Sequence, residues 1–246
     1  MSEWYKNWFA SEDYLKVYRH RNEKDAVNLI NLILSSTNLT HGSSVLDAAC
    51  GAGRHSVALK KKGFNITAFD LSIALLKIGL LNSRKLNLNI DFFQCDIRNV
   101  PLKTKFDLII NLFTSFGYFD SDDENFKFIK DAQRLLLKGG YFVFDYLNKD
   151  ELIKNLVPET KNILNGKNYF EKRYIKGGRV IKEIIINGNG ENNNYIESVK
   201  LYSCDELISV FENSGFQIQN LYGDYKGNIF NKNNSGRLII IARNNC

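Results

Sequence analysis

The chain has 246 residues, 44% of them hydrophobic and 24% charged, a balance ordinary for a soluble globular protein. Its longest apolar runs fall well short of the roughly 20 residues of a membrane span, and Met1-Ser2-Glu3-Trp4-Tyr5-Lys6 lacks the layout of a signal peptide, so a cytoplasmic protein without a membrane partner is expected. The net charge of +6 is spread along a lysine- and asparagine-rich sequence, which makes nucleic acid an unlikely partner. Cys50, Cys95, Cys204 and Cys246 form no CxxC pair and only His20, His41 and His55 are present, so neither a disulfide framework nor a metal centre is expected.

Residues 1–40 hold an aromatic arm and a helix. Trp4, Tyr5, Trp8, Phe9, Tyr14 and Tyr18 crowd the start, as a leader packed on the core or as a lid that excludes water from a ligand. Ala26, Val27, Leu29, Ile30, Ile33 and Leu34 then recur at helical spacing over 24–36. A core over 41–147 follows: strands at 44–48, 65–69, 90–94, 106–111 and 141–146, helices at 53–62, 73–85 and 122–137, and a turn at Lys138-Gly139-Gly140. Strands alternating with helices argue for a parallel sheet covered on both faces, with its ligand at the carboxyl ends of the strands. The rhythm changes over 165–203, where segments at 169–175, 179–186 and 195–202 are joined by Gly177-Gly178 and Asn187-Gly188-Asn189-Gly190, as in an antiparallel insertion. Residues 204–246 resume with a helix at 204–214 and strands at 216–222 and 237–242. One domain carrying a β insertion before its last helix is the architecture expected for 1–246.

The chemistry gathers between Val45 and Ser72. A strand ending at Asp47 leads through Gly51-Ala52-Gly53 into a helix, and Asp70 ends the next strand, seventeen residues after Gly53. Glycines there allow a tight turn and the close approach of a ligand to the backbone. Helix N–H groups favour an anion, and an acid at the second strand end can accept from ribose hydroxyls. Ser56 stands where a nicotinamide-binding fingerprint has glycine, and Arg54-His55 where a phosphate loop has Lys-Ser/Thr. S-adenosylmethionine, which has a ribose but no phosphate, remains. Taken singly, Asp47 could cap local N–H groups, Asp70 could start a helix and Asp96 could form a turn. Their arrangement at successive strand ends argues for a ligand.

Val45-Leu46-Asp47-Ala48-Ala49-Cys50-Gly51-Ala52-Gly53 resembles the first motif of class I S-adenosylmethionine-dependent methyltransferases. Asp70-Leu71-Ser72 resembles their second acidic position and Gln94-Cys95-Asp96-Ile97 their third motif, where the acid faces the adenine amino group. Phe106-Asp107-Leu108-Ile109-Ile110-Asn111 and Leu135-Leu136-Leu137-Lys138-Gly139-Gly140 resemble the signatures of strands four and five; Ala48-Ala49 departs from the commoner Leu-Gly or Ile-Gly. The resemblance implies an α/β, Rossmann-like seven-stranded sheet whose last strand is antiparallel. It implies a cofactor set of Asp47, Ala48, Gly51, Gly53, Arg54, Asp70, Leu71, Cys95, Asp96, Ile97, Asn111 and Phe113, with Tyr14 and Arg19 from the arm. The two ends of the chain, Trp8-Phe9 to Tyr18 and Gly223-Asp224-Tyr225-Lys226-Gly227 with Ser235-x-Arg237-Leu238, are similar to a small-molecule branch in which such an insertion forms part of the acceptor site.

On that reading S-adenosylmethionine donates a methyl group to a nitrogen or oxygen of a small molecule, in a monomer or homodimer. Tyr118, Tyr146, Asn148, Arg173, Tyr195 and Tyr225 are acceptor-side candidates by position, and the sequence shows no general base. Asn111-Leu112-Phe113-Thr114 follows strand four instead of Asn/Asp-Pro-Pro-Tyr/Phe, and neither Pro101 nor Pro158 precedes a cysteine, which disfavours a flipped-base enzyme. An RNA or protein acceptor, or a module that binds the cofactor without transfer, stays open.

Overall fold

The structure is a computed structural model that describes residues 3–18, 23–164, 166–188 and 190–245, so Arg19 and His20 lie outside the described residues. Five parallel strands, β1 (Ser44–Ala48), β2 (Asn65–Asp70), β3 (Asp91–Gln94), β4 (Phe106–Asn111) and β5 (Leu136–Leu147), join β10 (Phe216–Tyr222) and β11 (Arg237–Asn244) in one sheet. Its order is β10-β11-β5-β4-β1-β2-β3, with β11 antiparallel to both β5 and β10.

Strand side chains alternate between two buried faces. Leu46, Ile109, Phe142, Phe144 and Ile240 face α6 (Asp122–Leu135) and α8 (Cys204–Asn213), where they meet Phe128, Ile129 and Phe211. Val45, Leu108, Ile110, Val143, Ile239 and Ile241 face α3 (Glu23–Ser35) and α4 (Arg54–Lys61), where they meet Leu29, Ile30, Ile33 and Leu59. The helix α5 (Ile73–Lys85) packs closely enough on the β1–α4 turn that a Cβ on Gly79 would stand 3.1 Å from the Ala52 carbonyl.

Two expected boundaries move. Residues 138–140 belong to β5 instead of a turn: Leu136 pairs with Phe106, Tyr141 with Leu108, and the residues between form a bulge in which Gly139 takes φ +80°. The insertion starts before 165 and has four antiparallel strands, β6 (Glu159–Leu164), β7 (Lys167–Lys176), β8 (Arg179–Gly188) and β9 (Glu191–Lys200). The edge strand β6 buries no residue, and the short helix α7 (Lys149–Lys154) buries none either. Neither has a hydrophobic face for a periodicity to reveal.

Arg179 fixes the insertion to the core. Its buried guanidinium donates to the carbonyls of Gly117 (2.9 Å), Phe119 (3.0 Å) and Ser198 (2.9 Å) and to Ser198 Oγ (2.7 Å), so it clamps the loop after β4 against β9. The aromatic arm is helical, as α1 (Trp4–Ala10) and α2 (Glu12–Val17), with Ser11 capping α2. Trp4, Tyr5 and Trp8 bury themselves with Tyr169, Ile184 and Ile186 of the insertion, in a cluster separate from both faces of the large sheet.

Candidate functional site

The carboxyl ends of β1, β2 and β4 open into a cavity of about 560 Å³, roofed by the arm and walled on the far side by the insertion. That lies within the roughly 300–1,000 Å³ usual for small-molecule sites.

The near end is the β1–α4 turn. Ala49, Gly51 and Gly53 all take positive φ (+56°, +58° and +72°). A Cβ on Gly53 would also stand 2.8 Å from the Phe92 ring, which holds that position to glycine. A Cβ on Gly51 would meet nothing within 4 Å, because Gly51 faces the cavity. Asp70 at the end of β2 ties the turn to α5: it accepts from the backbone N–H groups of Gly51 (2.8 Å) and Ser72 (2.8 Å). Burial pushes its carboxyl above the usual range against those bonds. Asp47 at the end of β1 is 2% exposed, and burial raises it to about 7, opposed by the Ser56 hydroxyl 2.5 Å away and reinforced by Asp70. His55 beside it is held neutral, lowered to about 3 by burial and then by the Arg54 charge.

Cys95, Asp96 and Ile97 line the cavity beyond β3, with Leu71 above β2. Asp96 is not an open acceptor. It accepts the backbone N–H of Arg98 (2.9 Å) and holds the guanidinium on both oxygens (2.7 to 3.2 Å), so the pairing with Arg98 keeps it ionised against partial burial. Arg98 reaches on to Glu124 (2.7 Å) and to Glu3 of the arm (3.8 Å). The arm is also latched at the start of α5, where the N-cap Ser72 donates Oγ to the Phe9 carbonyl (2.8 Å).

The loop after β4 makes the side wall. Phe113 and Thr114 both take left-handed conformations, φ +67° and +63°, which cost an aromatic and a β-branched residue about 1–3 kcal/mol each. Asp145 on β5, fully buried, over-determines them. Its Oδ2 accepts from the Phe113 N–H (3.0 Å) and the Tyr225 hydroxyl (2.9 Å), and its backbone carbonyl accepts from the Thr114 N–H (2.9 Å). Arg237 on β11 donates Nε to Asp145 Oδ1 (2.8 Å) and Nη2 to Thr114 Oγ1 (2.8 Å). Arg54 lies over the Phe113 ring at 4.8 Å.

The far wall carries charges. Glu197 of β9 accepts from Trp8 Nε1 and from the Tyr18 hydroxyl, both at 2.6 Å. Lys182 of β8 donates to Tyr18 (2.6 Å) and pairs with Glu197 (3.2 Å) and Glu171 (3.6 Å), and Arg173 pairs with Glu171.

Of the residues singled out from sequence, Asp47, Gly51, Arg54, Asp70, Leu71, Cys95, Asp96, Ile97, Phe113, Tyr14, Tyr118 and Arg173 meet at this cavity. The others turn away for local reasons. Ala48 packs into the sheet core and Gly53 lies under Phe92. Asn111, 1% exposed, donates back to the Ala48 carbonyl (3.0 Å), stapling β4 to β1. Tyr146 is buried with its hydroxyl on the Lys200 carbonyl, and Asn148 holds the carbonyls of Lys232 and Ser235 (2.9 and 2.8 Å). Tyr195 stacks behind the wall on Trp8 with its hydroxyl on Asp13 (3.1 Å), and Tyr225 stands behind Phe113 on Asp145. The arm aromatics other than Tyr14, together with Thr114, Lys182, Glu197, Arg237 and Asp145, were not singled out as site residues. Asp145 had a signal: like Asp47 and Asp70, it is an acid near the end of a buried strand.

Residues 45–140 match the family model described as a methyltransferase domain. The glycine/sarcosine N-methyltransferase of Parasynechococcus marenigrum (strain WH8102) is 31% identical over 117 residues, 46% of this chain and 42% of that protein. The chain spans about half the length, or somewhat less, of the curated relatives it matches. A crystal structure of an S-adenosylmethionine-dependent methyltransferase from Clostridium acetobutylicum superposes with a TM-score of 0.83 at 22% identity, covering 95% of this chain and 96% of that one. An S-adenosylmethionine-bound amino pentose methyltransferase from Micromonospora echinaspora superposes with a TM-score of 0.71 at 16% identity, covering 95% and 97%. The structural matches share the fold across arm, sheet and insertion, and the domain match falls on the strand–turn–strand unit that builds the near end of the cavity. Residues 45–140 thus form a methyltransferase domain, and the chain as a whole shares the fold of the S-adenosylmethionine-dependent methyltransferases on which it superposes.

Proposed function

We propose that this chain transfers a methyl group from S-adenosylmethionine to a nitrogen or oxygen of a small-molecule acceptor. The observation that carries the reading is the continuity of one cavity from the Gly51–Asp70 end to the arm and the insertion, with aromatic walls between. The residues fit the cofactor. Gly51 leaves room at the turn, Asp47 is placed to accept from an ammonium, and Asp70 ends β2 where ribose hydroxyls would lie. Bound there, the cofactor supplies an activated methyl group on a sulfonium.

What the chain adds is alignment and dryness. Orienting an acceptor in line with the methyl group contributes several kcal/mol, up to about 7–11 in well-aligned cases. Trp4, Tyr5, Phe9, Tyr14 and Tyr118 cover that space and keep water from competing. Curated relatives include both N- and O-methyltransferases, which supports leaving the receiving atom as nitrogen or oxygen.

Thermal-shift measurements with S-adenosylmethionine, S-adenosylhomocysteine and NAD test the cofactor. Stabilisation by the first two is expected, and stabilisation by NAD alone would sink the reading. Labelled S-adenosylmethionine incubated with metabolite pools, and separately with RNA and protein fractions, then tests the acceptor class; label confined to the macromolecular fractions would overturn it.

A further inference from the structure

The Asp145–Arg237 pair is assembled differently from an ordinary structural ion pair. Arginine and a carboxylate usually meet through two parallel hydrogen bonds, which satisfies both groups at once. Here that pairing is blocked, because Asp145 Oδ2 is already taken by the Phe113 N–H and the Tyr225 hydroxyl. Arg237 therefore reaches only Oδ1, through Nε, and places Nη2 on Thr114 Oγ1. Two adjacent residues hold left-handed conformations to offer that oxygen and the Phe113 ring, whose centroid is 5.6 Å from the guanidinium carbon. The result is a guanidinium locked along one edge. Both hydrogens of Nη1 and the second of Nη2 are left over, and among the described residues no acceptor lies within hydrogen-bond reach of Nη1. Arg237 lines the cavity, with 23% of its side chain exposed.

The geometry points to Arg237 as the recognition group for a carboxylate on the methyl acceptor. The free end of a guanidinium offers two parallel N–H bonds whose spacing matches the two oxygens of a carboxylate; an amide or a hydroxyl meets only one. Arg54, on the same ring at 4.8 Å, adds positive charge to this wall. The arginines of the insertion are placed otherwise: Arg173 is engaged by Glu171 and Thr160, and Arg179 by backbone carbonyls. The inference deepens the methyltransferase reading and rests on it.

The test is calorimetric titration of the full chain, saturated with S-adenosylhomocysteine, with propionate, malonate and benzoate, each beside its amide. At least one acid is expected to bind at least tenfold more tightly than its amide. That preference should fall at least tenfold in R237K, which keeps the charge and loses the fork. Equal binding of acids and amides by the wild-type chain overturns the inference whether or not R237K folds, and so does an undiminished preference in R237K. If R237K loses S-adenosylhomocysteine while the wild type ignores the acid–amide difference, Arg237 belongs to the cofactor instead. If S-adenosylhomocysteine binds and no acid does, the inference alone falls; if S-adenosylhomocysteine itself fails to bind, the methyltransferase reading falls with it.

Discussion

At the Gly51 end of the cavity, polar partners meet within one strand–turn–strand unit: Ser56 reaches Asp47 across 9 residues of chain and Gly51 reaches Asp70 across 19. At the insertion end they come from opposite ends of the sequence. Trp8 and Glu197 are 189 residues apart, Asp13 and Asn193 180, and Tyr18 and Lys182 164. The first end is a local device, fixed once β1, β2 and the turn between them form. The second is complete only after arm and insertion have found each other: its charges pair across neighbouring strands of the insertion, and Trp8 and Tyr18 reach them by tertiary contact. On the proposed reading, cofactor binding and acceptor binding depend on separable sets of bonds, and the separation can be measured.

The largest effect is expected at the local end. Asp70→Ala removes the acceptor of two backbone N–H groups and, on the proposed reading, of the ribose hydroxyls, and should weaken S-adenosylhomocysteine about hundredfold, near 2.8 kcal/mol. Unchanged affinity by calorimetry would take Asp70 out of the ligand site. At the other end, Glu197→Ala strips an acceptor from Trp8, Tyr18 and Lys182 and should cost about 2 kcal/mol in urea unfolding, with earlier proteolysis of the arm. If that variant harms S-adenosylhomocysteine binding as much as Asp70→Ala does, the two ends are not separable.

Protonation sharpens the contrast. Burial holds Asp47 at about 7 in the folded protein against an ordinary 3.8, so the folded state binds the extra proton between those values. Its contribution to stability is full below about pH 4 and is lost as the pH rises through 7. His55, lowered to about 3 from 6.5, acts in the opposite sense: its contribution is full above about pH 6.5 and lost as the pH falls towards 3. Asp47→Asn should remove the alkaline loss and leave the acid one, read from urea midpoints between pH 4 and 8. With Asp47 in its proposed role towards the ammonium, wild-type affinity for S-adenosylhomocysteine should rise about tenfold from pH 6 to 8 as its carboxyl ionises. A similar rise in Asp47→Asn would assign the dependence elsewhere. The smallest effect belongs to Tyr195→Phe, which keeps the ring and loses the hydroxyl bond to Asp13 of the arm. A cost of about 1 kcal/mol, a melting shift of about 2–4 °C, is expected; a tenfold change in S-adenosylhomocysteine affinity would contradict it.

The same contrast explains what could be read from the chain before folding. Buried strands announce themselves as apolar runs between helices, and Asp47, Asp70 and Asp96 stand at strand ends where position along the chain nearly fixes position in space. Asn111 and Tyr146 also lie at strand ends, yet a strand sends successive side chains to opposite faces and both point into the protein. Nor do residue types reveal the wall at Phe113 and Thr114, since neither favours the left-handed conformation that the Asp145 hub imposes. The arm drew notice for its aromatics, but the acid that receives it, Glu197, lies in a strand of mixed polarity with nothing nearby in sequence to mark it.

Arg179 carries one more consequence, for the order in which the molecule assembles. The strands β7, β8 and β9 pair with their neighbours in sequence through short turns, so they can close early, within microseconds for such hairpins. Their seating on the core waits for the loop after β4, because the carbonyls of Gly117 and Phe119 that Arg179 grips lie 62 and 60 residues back along the chain. Every acceptor of that guanidinium is neutral, and most are backbone, so they take their places only when both partners are already folded. The seating of the insertion, and with it the closing of the pocket, thus requires two segments about 60 residues apart to be in place together.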